Sequence, residues 1–218
     1  MLSKSQLMLL EEVGKFHEDP LGYVMYCFPW DSEPSIQVVE LPEKYRKRFN
    51  SKYGPDLWAC EFLDDLGGEI RKRGFDGHSP VMPIRFSTVS GHGIGKTVLV
   101  SFLIKFILDT RPRSKGVITA STAPQLQSKT WAELGKWHRL SLTRDLFSYS
   151  SGRDSMRLKS IIDPEGWNVM GQTCKEENAD SFQGLHASTS TAFYIFDEAC
   201  HDEETDVLSK RGWVRFKD

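Results

Sequence analysis

The sequence predicts an α/β fold in which a mainly parallel sheet is flanked by helices and preceded by an N-terminal helical segment. Short apolar runs with strand character alternate with helical patterns between residues 81 and 140. A glycine-rich turn joins the first of these strands to the first of these helices, and a later apolar strand at 192–196 ends in two acids. Because strands that alternate with helices pair in parallel through right-handed crossovers, a mainly parallel sheet follows.

Bulk properties limit the classes of protein to consider. The 218 residues are 39% hydrophobic and 27% charged, which suits one domain with a core, or a domain with an N-terminal appendage. The formal net charge of −2 gives no global basic signal, so any contact with nucleic acid must come from local patches. Four scattered cysteines form no C-x-x-C pair, which argues against a zinc site, and no signal peptide or membrane-spanning run is found. We therefore expect a cytoplasmic protein with free thiols.

The N-terminal segment, residues 1–54, is predicted to be helical and aromatic with a connector, and the main domain is predicted to cover 55–218. Residues 2–18 have the spacing of a helix with one apolar face. The aromatic run at 21–30 either packs this helix onto the main domain or contacts a nucleotide base. The basic cluster at 44–48 is either a solvated face or a contact for a phosphate backbone.

Further elements follow from periodicity and turn signals. They are a helix over 55–73 stopped by Gly74, a strand over 81–89, a helix over 98–108, a strand over 116–121, a helix from Pro124 through Leu140, two hairpin strands at 156–162 and 167–171 joined by a turn at 163–166, a polar loop over 175–184, and the strand at 192–196.

The glycine-rich turn has the pattern of a phosphate-binding loop. Its residues are Ser90, Gly91, His92, Gly93, Ile94, Gly95, Lys96 and Thr97. The glycines allow the backbone to curl so that several N–H groups point at one anion, and the start of the next helix adds its positive dipole end. Lys96 is then placed to reach the β- and γ-phosphates, and the Thr97 hydroxyl to ligate Mg²⁺. Ser90 stands where the usual pattern has glycine.

The acidic pair Asp197-Glu198 supplies the second half of a nucleotide site. We expect the strand at 192–196 to lie beside the strand that precedes the phosphate-binding loop, because its C-terminal acids then reach the Mg²⁺ end of a nucleotide. Asp197 is predicted to hold Mg²⁺, through water, and Glu198 to act as the general base that activates the attacking water. Together with Lys96, Glu198 forms the predicted catalytic pair.

With both motifs in place, the chain resembles the ATPase half of the large terminase subunit of tailed bacteriophages or prophages, a DNA-packaging motor. The resemblance covers roughly residues 20–205 and depends on the order of several pieces. These are Phe28-Pro29-Trp30, Gly54-Pro55-Asp56-Leu57-Trp58, the loop at 90–97, the segment 119–126 followed by Trp131 and Leu134, Gly184-Leu185-His186-Ala187, and Phe196-Asp197-Glu198-Ala199.

The resemblance implies a P-loop NTPase fold that binds and hydrolyses ATP with Mg²⁺ to drive double-stranded DNA into a prohead. It implies Trp58 as a neighbour of the adenine. It also implies double-stranded DNA, the small terminase subunit and the portal or prohead as partners, a possible homo-oligomer, and action in the cytoplasm of a bacterial host. It implies no membrane association.

Three features depart from the family pattern. Ala59 follows Trp58 where the family usually has glutamine, which puts recognition of adenine by an amide in doubt. His92 stands where many members carry arginine, so an arginine finger from another subunit, or from elsewhere in the chain, is required. The chain stops soon after the acidic strand, and residues 209–218 do not look like the family. We therefore expect a truncated chain without a nuclease domain, whose sheet is incomplete at the C-terminus.

Two other functions share these motifs. A nucleotide-binding remnant or interaction module would need the loop but would not hydrolyse ATP. A helicase-like P-loop ATPase would use both motifs to unwind strands.

Overall fold

The computed structural model describes residues 2–79, 81–89, 95–120, 122–152, 155–173, 190–197 and 214–217. Its helices are α1 (Lys4–Gly14), α2 (Pro20–Cys27), α3 (Glu43–Phe49), α4 (Leu57–Arg73), α5 (Lys96–Thr110), α6 (Ala123–Gln125), a π-helical segment (Leu126–Trp131) and α7 (Ala132–Leu140), with short 3₁₀ turns at Pro34–Ile36 and Arg144–Leu146. Its strands are β1 (Ser87–Val89), β2 (Lys115–Ala120), β3 (Phe147–Gly152), β4 (Ser155–Ser160), β5 (Asn168–Gly171), β6 (Ala192–Asp197) and β7 (Val214–Lys217).

The strands form one sheet in the order β1-β7-β6-β2-β5-β4-β3. The five strands from β1 to β5 in this order are parallel to one another, and β4 and β3 pair antiparallel at the far edge. The mainly parallel sheet flanked by helices and preceded by N-terminal helices is therefore confirmed. The predicted hairpin is confirmed as well, since Leu158 of β4 pairs with Val169 of β5.

Helix α5 is the centre of the core and meets α1, α2 and α7. Its residues are apolar nearly all round, and most of them are buried, as expected for an internal helix. An aromatic cluster joins it to its neighbours: the rings of Phe28 and Trp30 pack with Phe102 of α5 and Trp137 of α7, at centroid distances of 4.7–6.4 Å. Phe28 and Trp30 are buried in this cluster, which favours the core-packing interpretation of the aromatic run over a contact with a base.

The N-terminal helices have local signals that explain their ends. The side chain of Ser3 caps α1, and Asp56 caps α4 through the N–H of Ala59. Gly74 ends α4 in the left-handed conformation, with φ of 60°, as its position in the sequence predicts.

The basic cluster on α3 is neutralised by neighbouring acids. Arg48 forms ion pairs with Asp19 and Asp64 at 2.8 and 3.1 Å, and Arg46 with Glu40 at 2.6 Å. These contacts favour the solvated-face interpretation of the cluster.

Three parts of the sheet differ from the sequence predictions. The strand beside β1 is β7, so the prediction that the acidic strand β6 adjoins the strand of the phosphate-binding loop is wrong. β7 is formed by residues 214–217, within the tail that does not look like the terminase family. Its place in the sheet is decided by pairing with strands that are distant in the sequence. β3 was not predicted. β1 is also shorter than expected, since strand pairing begins only at Ser87.

Candidate functional site

The candidate site lies where the carboxyl ends of β1 and β6 meet the start of α5. Arg215 of β7 is the backbone partner of both Ser87 in β1 and Phe196 in β6, so these two residues are level with each other across the intervening strand. Neighbouring strands lie about 4.8 Å apart, so β1 and β6, with one strand between them, are about 10 Å apart. β7 fills the space between the two strands as far as Lys217, the partner of Val89. Because ligands of open parallel sheets bind beyond the carboxyl ends of the strands, this edge of the sheet is where a phosphate chain and a cation would bind.

Lys96 is the first residue of α5, and Gly95 precedes it as the N-cap. Gly95 has φ of 87° and ψ of 19°, a left-handed conformation that glycine adopts without strain. Gly95 has no side chain that could accept a hydrogen bond from the first backbone amides of α5. Lys96 is 9% exposed. A buried cation beside the positive end of a helix is suited to an anion, and phosphate is the natural one.

Asp197 is the last residue of β6 and is 4% exposed. One of its carboxylate oxygens, Oδ2, accepts a hydrogen bond from the hydroxyl of Thr130 at 2.6 Å. Thr130 belongs to the π-helical segment and was not predicted as a site residue. A signal was present, however: Thr130 lies four residues from both Leu126 and Leu134, so helical spacing puts a polar residue on an apolar face.

The oxygen donors at this site fit magnesium. Thr97 is the second residue of α5, next to Lys96, and carries a hydroxyl, and Asp197 carries a carboxylate. Mg²⁺ prefers oxygen ligands and is usually held by one or two carboxylates together with substrate phosphates. Within the described residues, no group of three or more His, Cys, Asp or Glu side chains could hold a metal ion by itself.

The other predicted site residues have different outcomes. Trp58 is the second residue of α4 and packs, partly buried, against the core, and its role beside adenine stays a prediction. Glu198 and residues 90–94, with His92 among them, lie outside the described residues. The structure therefore brings Lys96, Thr97 and Asp197 to one edge of the sheet, and the loop and the general base stay predictions.

A buried polar network lies farther along α5, away from this site. Lys105 and Asp109 form an ion pair at 3.1 Å with no side-chain exposure. The hydroxyls of Tyr23 and Thr143 donate to Oδ2 of Asp109, each at 2.5 Å. Burial, and then the charge of Asp109, raises the pKa of Tyr23, so the phenol stays protonated as a donor. The network fixes α2 and the segment after α7 to α5.

The fold is an α/β domain with a mainly parallel sheet flanked by helices. No family model matches the chain, and no curated protein matches it. Two solved structures are similar to it. The ATPase domain of the large terminase of Thermus phage P74-26 is 18% identical with a TM-score of 0.44, and its R139A mutant is 16% identical with a TM-score of 0.41. Each match covers 83% of this chain and 70% of the other. These values describe a distant likeness of fold. In the described part of the chain, no helix has both the length and the apolar character needed to cross a membrane.

Proposed function

We propose that this chain is a Mg²⁺-dependent ATPase module. The observation that carries the proposal is that the start of α5, at Gly95-Lys96, and Asp197, at the end of β6, both lie at the carboxyl edge of the parallel strands. A buried lysine at an N-terminus without a capping side chain favours a phosphate, and a carboxylate opposite it favours a cation.

Each residue has a role in the proposed reaction. Lys96 would hold the β- and γ-phosphate oxygens, and Thr97 and Asp197 would hold Mg²⁺, the bound ion serving to neutralise charge on those oxygens. Glu198 would orient the attacking water and take its proton while the water attacks the γ-phosphorus in line, the bond to the β–γ bridging oxygen breaks and ADP leaves. The protein supplies positioning and charge, which is most of what phosphoryl transfer requires.

The finer proposal is a motor role in packaging double-stranded DNA, with the small terminase subunit and the portal or prohead as partners in a bacterial host cell. Its support is the order of motifs along the sequence, from the aromatic segments through the loop at 90–97 to the acidic strand. DNA held through its phosphates is moved without sequence preference, as a packaging motor requires.

Nucleotide binding is the first test. Calorimetric titration of the full chain with ATP and Mg²⁺ should show binding, and Lys96→Ala should weaken it by roughly 10- to 100-fold, because a charge-assisted hydrogen bond contributes about 1.5–3 kcal/mol. Lys72→Ala is the matched control, since the Lys72 side chain is exposed near the end of α4 and forms an ion pair only with Glu69 among the described residues. Equal affinity of wild type and Lys96→Ala would contradict the proposal.

Turnover separates the remaining alternatives. If the chain hydrolyses ATP, Glu198→Gln should abolish turnover while ATP stays bound, because the amide cannot take a proton. A nucleotide-binding remnant would show binding with no turnover in either form. Stimulation of turnover by intact duplex favours the packaging motor, and unwinding of a tailed duplex favours a helicase-like enzyme.

A further inference from the structure

The contact between Thr130 and Asp197 joins a helix to the acidic strand across 67 residues of sequence. The Thr130 hydroxyl donates to Oδ2 of Asp197 at 2.6 Å, and the residues are 1% and 4% exposed. A hydroxyl has a single proton to donate, and here it goes to the carboxylate. A buried carboxylate is costly without donors. A hydrogen bond to such a charged group is stronger than one between two neutral groups.

The π-helical segment explains how Thr130 reaches the strand. In a π-helix each hydrogen bond spans five residues rather than four, so the turn is wider and Leu126, Thr130 and Trp131 all face the core. Trp131 is fixed to β3: its indole N–H donates to the carbonyl of Ser150 at 2.8 Å, and the Tyr149 hydroxyl donates to the Trp131 carbonyl at 2.7 Å. The segment is thus attached to β3 through Trp131 and to β6 through Thr130.

The contact has a consequence for the geometry of the carboxylate. Rotation of an aspartate carboxylate about its last torsion is broad, so the direction of its oxygens is set by the hydrogen bonds that they accept. Thr130 holds Oδ2 and so restricts the orientation of the group. Residues that orient a metal ligand in this way commonly change metal affinity by 10- to 100-fold when they are replaced.

We propose that Thr130 is a positioning residue, which the π-helical segment places so that Asp197 is oriented to bind Mg²⁺ with the nucleotide. The proposal rests on the proposed function, in which Asp197 holds the cation. Thr130 itself touches neither the nucleotide nor the ion. It acts through the carboxylate, so its effect must appear in the coupling between Mg²⁺ and nucleotide rather than in nucleotide affinity alone.

The test measures that coupling. The dissociation constant of a fluorescent ATP analogue is determined with Mg²⁺ and with EDTA. The value in EDTA divided by the value with Mg²⁺ gives the coupling between Mg²⁺ and nucleotide. Thr130→Val keeps the shape of the side chain and removes the donor, so the ratio should fall by about 10-fold while the affinity in EDTA is unchanged. Thr130→Ser restores the hydroxyl and should return the ratio to the wild-type value.

Thr143→Val is the matched control. Thr143 is another buried threonine whose hydroxyl donates to a buried aspartate, Asp109, but it lies in the network that follows α7. This variant should lower the melting temperature and leave the Mg²⁺ coupling ratio unchanged. It thereby separates a loss of stability from a loss of orientation at Asp197.

Several outcomes would overturn the proposal. An unchanged ratio in Thr130→Val would show that Asp197 is oriented without Thr130, and equal losses with Mg²⁺ and EDTA would show a structural role only. Thr130→Ala is measured in parallel. If the valine and alanine variants both fail to fold, the hydrogen bond is a requirement of the fold and the proposal is wrong. If wild type binds no nucleotide, the proposed function fails first, which is a distinguishable result.

Discussion

The ion pair between Lys105 and Asp109 offers a test of how the core around α5 is held together. Both side chains are fully buried, and the atoms Nζ and Oδ1 are 3.1 Å apart. At an effective dielectric constant of about 20, two unit charges at this distance attract by about 5 kcal/mol. We predict that Lys105→Met, which keeps an unbranched side chain one atom shorter, lowers the free energy of unfolding by about 3–5 kcal/mol, because it leaves a buried carboxylate without its cation.

The double variant makes the magnitude specific to the pair. Asp109→Asn alone leaves the Lys105 ammonium buried without its carboxylate. The amide oxygen of the new asparagine can still accept hydrogen bonds from the hydroxyls of Tyr23 and Thr143. In Lys105→Met combined with Asp109→Asn no charge stays buried. We therefore expect the double variant to be more stable than the sum of the single losses predicts, by about 2 kcal/mol or more.

Urea unfolding followed by circular dichroism measures these free energies in all four proteins. Losses under about 1 kcal/mol in both single variants, or losses that add in the double variant, would refute the reasoning, since they would mean that the pair is solvated or unimportant. Lys136→Met is the control, because Lys136 makes a comparable contact with Glu133 at 3.8 Å on the surface. It should change the free energy of unfolding by less than about 1 kcal/mol.

Three further predictions concern glycines and a histidine. In Gly116→Ala the new methyl group would overlap the buried ring of Phe193, so the free energy of unfolding should fall by about 1–3 kcal/mol in urea titrations. Gly68→Ala in α4 is the control: a methyl group there meets open space among the described atoms, so the change should be neutral or stabilising. Burial, and then the charge of Lys105, lowers the pKa of His138 to about 3. As the pH drops from about 6.5 towards 3, the unfolded chain binds the proton before the folded chain does, so the free energy of unfolding should fall by at most about 1.4 kcal/mol per pH unit. His138→Phe should remove that part of the slope. Gly95→Ala should cost about 1 kcal/mol of stability through its positive φ and should weaken ATP binding in calorimetry, because the methyl group would enter the space beside the phosphates; wild-type ATP affinity in this variant would contradict the site.

The elements that the sequence predicts well have strong local signals. α5 was predicted over 98–108 and spans Lys96–Thr110, because its apolar run follows a glycine and a lysine that begin a helix. The β4–β5 hairpin follows from the turn residues between Asp163 and Gly166, where Asp163 accepts from the Gly166 N–H at 2.9 Å. Both elements depend on residues that are adjacent in sequence.

The elements that the sequence does not predict depend on contacts between distant residues. β3 alternates Phe147 and Tyr149 with serines, a weak strand pattern that becomes a strand because β4 pairs with it. β7 takes its place between β1 and β6 only in the folded sheet. The π-helical turn is hidden because Leu126 and Thr130 also have the spacing of an α-helix.

For the site, sequence patterns indicated Lys96, Thr97 and Asp197, which the structure brings to one edge of the sheet. They missed Thr130, because no linear pattern relates a helix residue to a strand residue 67 positions away. They also placed the acidic strand one position too close to β1. β7 lies between the two strands because it pairs with both of them in the folded sheet.

Helix α5 has opposite requirements at its beginning and farther along its length. At Gly95 there is no capping side chain, which suits an anion that arrives from outside. Ten residues later, about 15 Å along the axis, Lys105 and its partner Asp109 are paired with their side chains fully buried. Lys105→Met should therefore lower the free energy of unfolding without changing ATP affinity, and its effect on stability should add to that of Gly95→Ala, because sites so far apart without shared partners contribute additively. A Lys105→Met protein that is folded yet binds ATP much more weakly than wild type would contradict this separation, and it would show that the network also sets the position of the helix start.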